Sequence, residues 1–141
     1  MALEPRRPVV LMVDDEMGNR KLVSLVLGRL GYTVLTASNG EEGLLAAKAQ
    51  HPDVILLDIM MPVMDGHEML VRLKEDQDTR AIPVIMVSAR GGDQDIAASF
   101  QRGALFHLDK PYEAKDLLQK IEVALVRSGA ATPVSQNDRP H

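Results

Sequence analysis

The chain has 141 residues, of which 45% are hydrophobic and 26% charged, so its composition is that of one ordinary globular domain. The formal net charge of −4 argues against a nucleic-acid-binding surface, and the lack of cysteine excludes disulfides and Cys-ligated metals. No apolar run reaches the roughly 18 residues that span a bilayer, and the N-terminus lacks an export signal, so we expect a cytoplasmic protein without a membrane segment.

Short runs of β-branched and aliphatic residues alternate with segments of helical periodicity. The apolar runs predict strands at 9–13, 33–36, 54–57, 84–87 and 106–108. The first, third and fourth runs are continuously apolar, which is typical of strands covered on both faces of a parallel sheet, whereas the second is mixed, as in an edge strand. Spacings of four residues predict helices on shared faces, for example at Leu22, Val26 and Leu30, and at Leu117, Ile121 and Leu125.

The alternation of five strands with five helices predicts the fold class. Units of this length form parallel pairs with right-handed crossovers, which gives a (βα)5 chain folded as a three-layer α/β sandwich. We expect a flavodoxin-like sheet of strand order 2-1-3-4-5. The domain should occupy residues 8–127, after a leader at 1–7 and before a flexible tail or linker at 128–141, whose small and polar residues offer little to a core.

The residues best suited to chemistry stand where strands end. Asp14 and Asp15 follow the first strand and Asp58 follows the third. Ser88 follows the fourth strand and Lys110 the fifth. Because the carboxyl ends of parallel strands share one edge, we expect the three acids to converge between the first and third strands, with Ser88 and Lys110 on the far side.

Three carboxylates in a partly buried cleft repel one another, which predicts a bound cation. Oxygen ligands without Cys or a suitably placed His favour Mg²⁺. An ionised carboxylate can attack phosphorus while Lys110 and Ser88 interact with the phosphoryl oxygens. The simpler interpretation of Asp14 and Asp15 is that they stabilise the start of a helix, and for Glu16 this interpretation is the better one.

Four motifs in order carry a resemblance to a known family. They are VDDE at 13–16, LLDIMMPVMDG at 56–66, VSAR at 87–90, and Lys110 with Pro111. Over residues 8–127 the chain resembles the receiver domain of two-component response regulators. The resemblance implies that Asp58 is the phosphoacceptor and that Lys110 pairs with the phosphoryl group. It implies a Mg²⁺ site in which Asp15, Asp58 and the Met60 backbone carbonyl bind directly, while Asp14 acts mainly through water.

The resemblance also implies a conformational switch. In this family a Ser or Thr hydroxyl moves toward the phosphoryl group, and an aromatic residue of the fifth strand rotates into the space it leaves. Ser88 matches the hydroxyl, whereas the aromatic position is His107 instead of Tyr or Phe. Imidazole is smaller and polar, and it titrates near neutrality. Family analogy marks Met60 and Arg90 as residues that border the path of water to the acceptor.

The expected function is a signalling switch, not an enzyme acting on an outside metabolite. The resemblance implies a histidine kinase or a histidine phosphotransfer protein as donor, and a downstream effector or fused output domain as receiver of the signal. Signalling would pass through the face of the fourth helix, fifth strand and fifth helix. A homodimer through the same face is also possible. Leu105 and Phe106 stand there in place of the acids of many family members, which favours a hydrophobic over an ion-paired contact.

Two other classes are compatible with parts of the pattern. A Mg²⁺-dependent phosphohydrolase of the haloacid dehalogenase type also uses an Asp nucleophile, but it needs a second Asp two residues later, where this chain has Met60. A flavodoxin-like cofactor binder needs a Ser-, Thr- or Gly-rich loop after its first strand, where this chain has three acids. The signalling switch is therefore the favoured prediction.

The remaining polar residues have structural interpretations. Asp65 and Gly66 are expected to form a turn before the third helix. We assign His51, His67 and His141 to the surface or the tail, with no role in metal binding.

Overall fold

The computed structural model describes residues 7–89 and 93–129, in which five strands alternate with five helices. The strands are Val9–Val13 (β1), Thr33–Ala37 (β2), Val54–Asp58 (β3), Val84–Ser88 (β4) and Phe106–Asp109 (β5). The helices are Met17–Arg29 (α1), Gly40–Gln50 (α2), Gly66–Glu75 (α3), Asp93–Gln101 (α4) and Ala114–Ser128 (α5). Among the described helices, none is long and apolar enough to cross a membrane. Most of the predicted leader and tail, and Arg90, lie outside the described residues.

All five strands are parallel and form one sheet of order β2-β1-β3-β4-β5, which confirms the predicted flavodoxin-like fold. Strands β3 and β4 are buried along their whole length, while the edge strand β2 is partly exposed. Strand order reverses at β1 and β3, where the chain crosses over on opposite sides of the sheet. The crevice at the carboxyl ends of these two strands is where such folds bind ligands.

Two hydrophobic clusters explain why the central strands are continuously apolar. Val10 and Val54 face one side of the sheet and pack with α1 and α5. Their neighbours Leu11 and Ile55 face the other side and pack with α2 and α3. Because successive residues of a strand point to opposite faces, a sheet covered by helices on both sides needs apolar residues at every position.

The buried face of α1 differs from the predicted one. Val23 and Leu27 are buried in the first cluster, whereas Leu22 is 60% exposed. Helix α1 is apolar at most positions from 22 to 27, so both Leu22 with Val26 and Val23 with Leu27 have the spacing of a buried face. In the structure the second pair packs against the sheet. The prediction for α5 is confirmed at Leu117, Ile121 and Leu125, all of which are buried.

The loop from β3 to α3 is anchored close to the end of β3. Asp65 caps α3 by accepting a hydrogen bond from the Glu68 backbone N–H at 2.8 Å. The Gly66 N–H donates to the Ile59 carbonyl at 2.8 Å, and a Cβ at Gly66 would overlap the backbone of Asp58 and Ile59. Asp65 thus ends the predicted turn as the N-cap residue, whereas Gly66 is the first residue of α3. Glycine is required there because the loop folds directly back onto β3.

Candidate functional site

The three predicted acids lie together at the carboxyl edge of the sheet. Asp14 follows β1 and is buried, Asp58 is the last residue of β3 and is 6% exposed, and Asp15 faces solvent. One carboxylate oxygen of each lies within 4.8 Å of the others. Asp14 and Asp58 occupy neighbouring strands, so the reversal of strand order between β1 and β3 brings them to one point.

Lys110 directly follows β5, an edge strand of the sheet, and its side chain extends to this cluster. Its Nζ donates to Asp14 Oδ2 at 3.1 Å and lies 3.9 Å from Asp58 Oδ2. Partial burial lowers the pKa of Lys110, but the hydrogen bond with Asp14 and the attraction of Asp58 outweigh it and leave the pKa above its usual value. Lys110 is therefore a stable cation that links β5 to β1. Its peptide bond to Pro111 is cis.

Asp58 has the most perturbed carboxyl of the described cluster. Burial is the main cause that raises its pKa from 3.8 to about 6, and the negative charges of Asp14 and Asp15 add to it. Attraction to Lys110 and a hydrogen bond with the Met60 backbone act in the opposite direction. At neutral pH the carboxylate is ionised at a considerable cost in free energy, which a nearby cation would relieve.

The cluster fits a hard divalent cation. When all groups are ionised, three carboxylates and one ammonium leave two negative charges, which one divalent ion neutralises. Carboxylate oxygens are the ligands that Mg²⁺ prefers. Glu16 is not part of the cluster, because it precedes α1 as its N-cap residue and its N–H donates to Asp14 Oδ1 at 2.9 Å. The helix-start interpretation of Glu16 agrees with this position.

Two residues of α1 that the sequence did not single out hold Asp14 in place. Asn19 Nδ2 lies 3.2 Å from Asp14 Oδ2, and Arg20 Nη1 donates to the Asp14 carbonyl at 2.7 Å. Both stand in the first turn of the helix that follows the acidic pair, where side chains project back toward the strand end. That position is the signal by which sequence reasoning could have found them.

Ser88 and His107, the predicted switch residues, are both buried. Ser88 is the last residue of β4 and is 2% exposed. The His107 side chain is also 2% exposed, and its Nδ1 lies 3.3 Å from the Ser99 hydroxyl of α4. The imidazole thus already points into the protein. The assignment of His67 to the surface was wrong, because it is half-buried and its Nε2 lies 3.1 Å from the same hydroxyl.

Comparisons with known proteins relate the chain to one family. A family model of the response regulator receiver domain matches residues 10–122. The "Probable transcriptional regulator ycf27" of Guillardia theta is 39% identical over 122 residues, which cover 86% of this chain and 47% of that protein. The DNA-binding dual master transcriptional regulator RpaA of Synechocystis sp. is 37% identical, with coverages of 86% and 50%. The chain therefore spans about half the length of these curated relatives.

Solved structures give the same result at the level of the fold. The chemotaxis protein CheY4 of Vibrio cholerae superposes with a TM-score of 0.81 and 32% sequence identity, covering 85% of this chain and 100% of its own. Because the family model covers most of the chain and the fold match extends over an entire receiver, the chain belongs to the response regulator receiver domain family, the phosphorylation-activated switches of two-component signalling.

Proposed function

We propose that this chain accepts a phosphoryl group on Asp58, with Mg²⁺ held at the acid cluster. The observation that carries the proposal is the position of Lys110, whose Nζ lies 3.1 Å from Asp14 and 3.9 Å from Asp58. A buried carboxylate beside two more acids and one ammonium suits the transfer of an anionic group, because positive charge is needed where the phosphoryl oxygens will lie.

The donor is a phosphohistidine of a histidine kinase or a histidine phosphotransfer protein. An Asp58 oxygen attacks phosphorus, the P–N bond breaks, and its electron pair returns to the donor imidazole, so that the product is an acyl phosphate on Asp58. Lys110 pairs with one phosphoryl oxygen, and the hydroxyl of Ser88 donates to another. The chain catalyses only its own phosphorylation and dephosphorylation.

Asp15, Asp58 and the Met60 backbone carbonyl are the proposed direct ligands of Mg²⁺, which when bound stabilises negative charge on the transferred group. The Asp14 carboxylate acts through water. It already accepts hydrogen bonds from three donors, which are the Glu16 N–H, the Asn19 amide and Lys110. Three of the roughly four acceptor positions of the Asp14 carboxylate are thus already used, which supports an indirect role.

The output face is formed by α4, β5 and α5. On it, Phe106 is partly buried against the core with Lys120 Nζ 5.6 Å from its ring, and Val123 and Val126 of α5 are exposed. We propose that this face contacts a downstream effector, a fused output domain or a second copy of the chain, with apolar groups at the centre of the contact. The reaction is placed in the cytoplasm, where ATP-dependent histidine kinases present their phosphohistidine.

The name of one relative, RpaA, describes it as DNA-binding, and that protein is about twice as long as the region that matches this chain. We propose that any contact with nucleic acid belongs to an output domain, because the chain carries a net charge of −4. The phosphohydrolase alternative is not favoured, since Met60 offers no carboxyl group and its side chain is 72% exposed.

The proposal is tested by the intact mass of the protein after incubation with acetyl phosphate and Mg²⁺. We expect a labile gain of one phosphoryl group that disappears with a chelator and in Asp58→Asn. The matched control is Asp78→Asn, which removes an exposed carboxyl between α3 and β4. The proposal is wrong if wild type gains no phosphoryl group, or if Asp58→Asn gains as much as wild type.

A further inference from the structure

A second group of titratable side chains joins α3, α4 and β5, away from the acid cluster. Ser99 of α4 is fully buried, and its Oγ lies 3.1 Å from His67 Nε2 and 3.3 Å from His107 Nδ1. The same hydroxyl donates a hydrogen bond to the Asp95 carbonyl at 2.9 Å. We call His67, Ser99 and His107 the His–Ser–His cluster.

The hydrogen bonds of Ser99 determine the protons of both imidazoles. A hydroxyl has one proton to donate and two lone pairs that accept. Because the Ser99 proton is directed to the Asp95 carbonyl, Ser99 can only accept from the two histidines. His67 must therefore carry its proton on Nε2, and His107 must carry one on Nδ1.

The other nitrogen of His107 is then left in an unfavourable position. With a proton on Nδ1, neutral His107 has a bare lone pair at Nε2. This atom is buried, makes no hydrogen bond, and lies 3.4 Å from Asp109 Oδ1. A lone pair beside a carboxylate is repulsive, whereas a protonated Nε2 at the same place would form an ion pair.

We infer that Nε2 of His107 is a proton-binding site, and that the bound proton strengthens the connection of β5 to α4 and α3 through the His–Ser–His cluster. The imidazolium keeps its Nδ1–H on the Ser99 hydroxyl, and its charged Nε2–H lies 3.4 Å from Asp109 Oδ1, within the range of an ion pair. Burial of a charged ring costs hydration, and we expect the ion pair with Asp109 and the hydrogen bond with Ser99 to outweigh this cost, so that proton uptake stabilises the buried orientation of His107.

The second histidine of the cluster is the poorer site for this proton. Burial, and then the positive charge of Arg102 just after α4, lower the pKa of His67, although Asp65 and Asp95 partly oppose them. A positive charge on His107 would lower it further. His67 is therefore assigned as the neutral donor to Ser99, and Nε2 of His107 is the proposed proton site.

Strand β4 and helix α5 also lie beside β5, and their described residues near His107 leave Asp109 as its ion-pair partner. On β4 the residue opposite His107 is Met86. On α5, Lys120 Nζ lies 5.6 Å from the centre of the Phe106 ring, next to His107 in β5. Asp109, on the strand itself, is the carboxylate 3.4 Å from Nε2, and it is half exposed.

For signalling, this inference rests on the proposed function. If His107 is the residue that turns when Asp58 is phosphorylated, low pH favours the buried orientation, and the output face responds to protons as well as to phosphate. The proton site itself does not depend on phosphorylation, so it can be examined without Mg²⁺ or a phosphodonor. A failed phosphorylation assay and a failed test of His107 are then separate results.

The test is imidazole ¹⁵N NMR of the full chain between pH 5 and 8.5, with resonances assigned by single His→Gln variants. At pH 8.5 we expect His107 to be protonated on Nδ1 and His67 on Nε2, while exposed His51 shows an averaged tautomer and provides the reference. On acidification, His107 should become an imidazolium before His67. A proton on Nε2 of neutral His107, or earlier protonation of His67, would overturn the inference.

Two variants examine the contacts separately. Asp109→Asn keeps the size of an exposed side chain and should lower the proton affinity of His107 about threefold, which is the expected contribution of a partly exposed ion pair. Ser99→Ala should remove the fixed tautomers of both histidines. An unchanged proton affinity in Asp109→Asn would contradict the role of Asp109, and unchanged tautomers in Ser99→Ala would contradict the role of the hydroxyl.

Discussion

Removal of the buried charge at Asp58 should stabilise the metal-free protein. The folded chain raises the pKa of Asp58 from 3.8 to about 6, chiefly through burial. One pKa unit corresponds to about 1.4 kcal/mol, so ionisation of Asp58 lowers the free energy of unfolding by about 3 kcal/mol. Local relaxation and access of water reduce the cost of a buried charge, so we expect Asp58→Asn to raise the free energy of unfolding at pH 8 by about 2 kcal/mol.

The effect should depend on pH with a definite sign. Below pH 3.8 the carboxyl is protonated in both the folded and the unfolded chain, so the penalty is absent. Between pH 3.8 and about 6 the folded chain keeps a proton that the unfolded chain has lost, and stability falls as pH rises. Above that window the penalty is complete. Asp58→Asn lacks this pH dependence and should equal wild type near pH 3.5.

Urea unfolding in the presence of a chelator measures this difference, followed by far-ultraviolet circular dichroism because the chain has no Trp. With a typical urea dependence, the midpoint at pH 8 should rise by about 1 M in Asp58→Asn. The exposed control Asp78→Asn should stay within about 0.5 kcal/mol of wild type. The reasoning is refuted if Asp58→Asn gains no stability at pH 8, or if its gain persists unchanged at pH 3.5. Addition of Mg²⁺ should stabilise wild type more than the variant.

Three further substitutions give separate tests, and a fourth serves as a control. Lys110→Gln should slow phosphorylation by acetyl phosphate about 100-fold, measured by intact mass, because the phosphoryl oxygens lose their cation. Gly66→Ala should destabilise the fold by about 2 to 4 kcal/mol in urea, since its Cβ would overlap the Asp58 carbonyl, whereas Gly28→Ala, whose Cβ meets nothing within 4 Å, should stabilise it by roughly 0.5 kcal/mol. Asn39→Ala should cost about 1 kcal/mol by removal of the α2 cap.

The order of the strands and the meeting of the acids could be predicted because both depend on local patterns. Apolar runs mark buried parallel strands, and the topology then brings residues at their carboxyl ends to one edge. The predicted ends of β3 and β4 were one residue short, at 57 and 87. Asp58 and Ser88 belong to the ladder, yet a polar residue at the end of an apolar run cannot be distinguished from the first residue of a loop by its pattern.

What the sequence did not predict depends on distances between elements. His67 and Ser99 are 32 positions apart, and only the packing of α4 beside α3 and β5 brings them within 3.1 Å. The backbone at Val63 is a different case, since its φ of 70° is rare for a β-branched residue and would have suggested Gly or Asn. Tertiary packing explains the contact of His67 with Ser99, whereas Val63 is 76% exposed and nothing in the structure explains its backbone conformation.

Lys110 offers a route by which chemistry on β3 reaches β5. In the unphosphorylated chain its ammonium lies closer to Asp14, at 3.1 Å, than to Asp58, at 3.9 Å, so it links β5 to β1. Phosphorylation would convert Asp58 into an acyl phosphate and place about two negative charges beyond it, which attract the ammonium more strongly than one carboxylate that is already shared with Asn19. We expect Lys110 to move from Asp14 to the phosphoryl group. We expect this movement to pull on the end of β5, the strand that carries His107 three residues before Lys110.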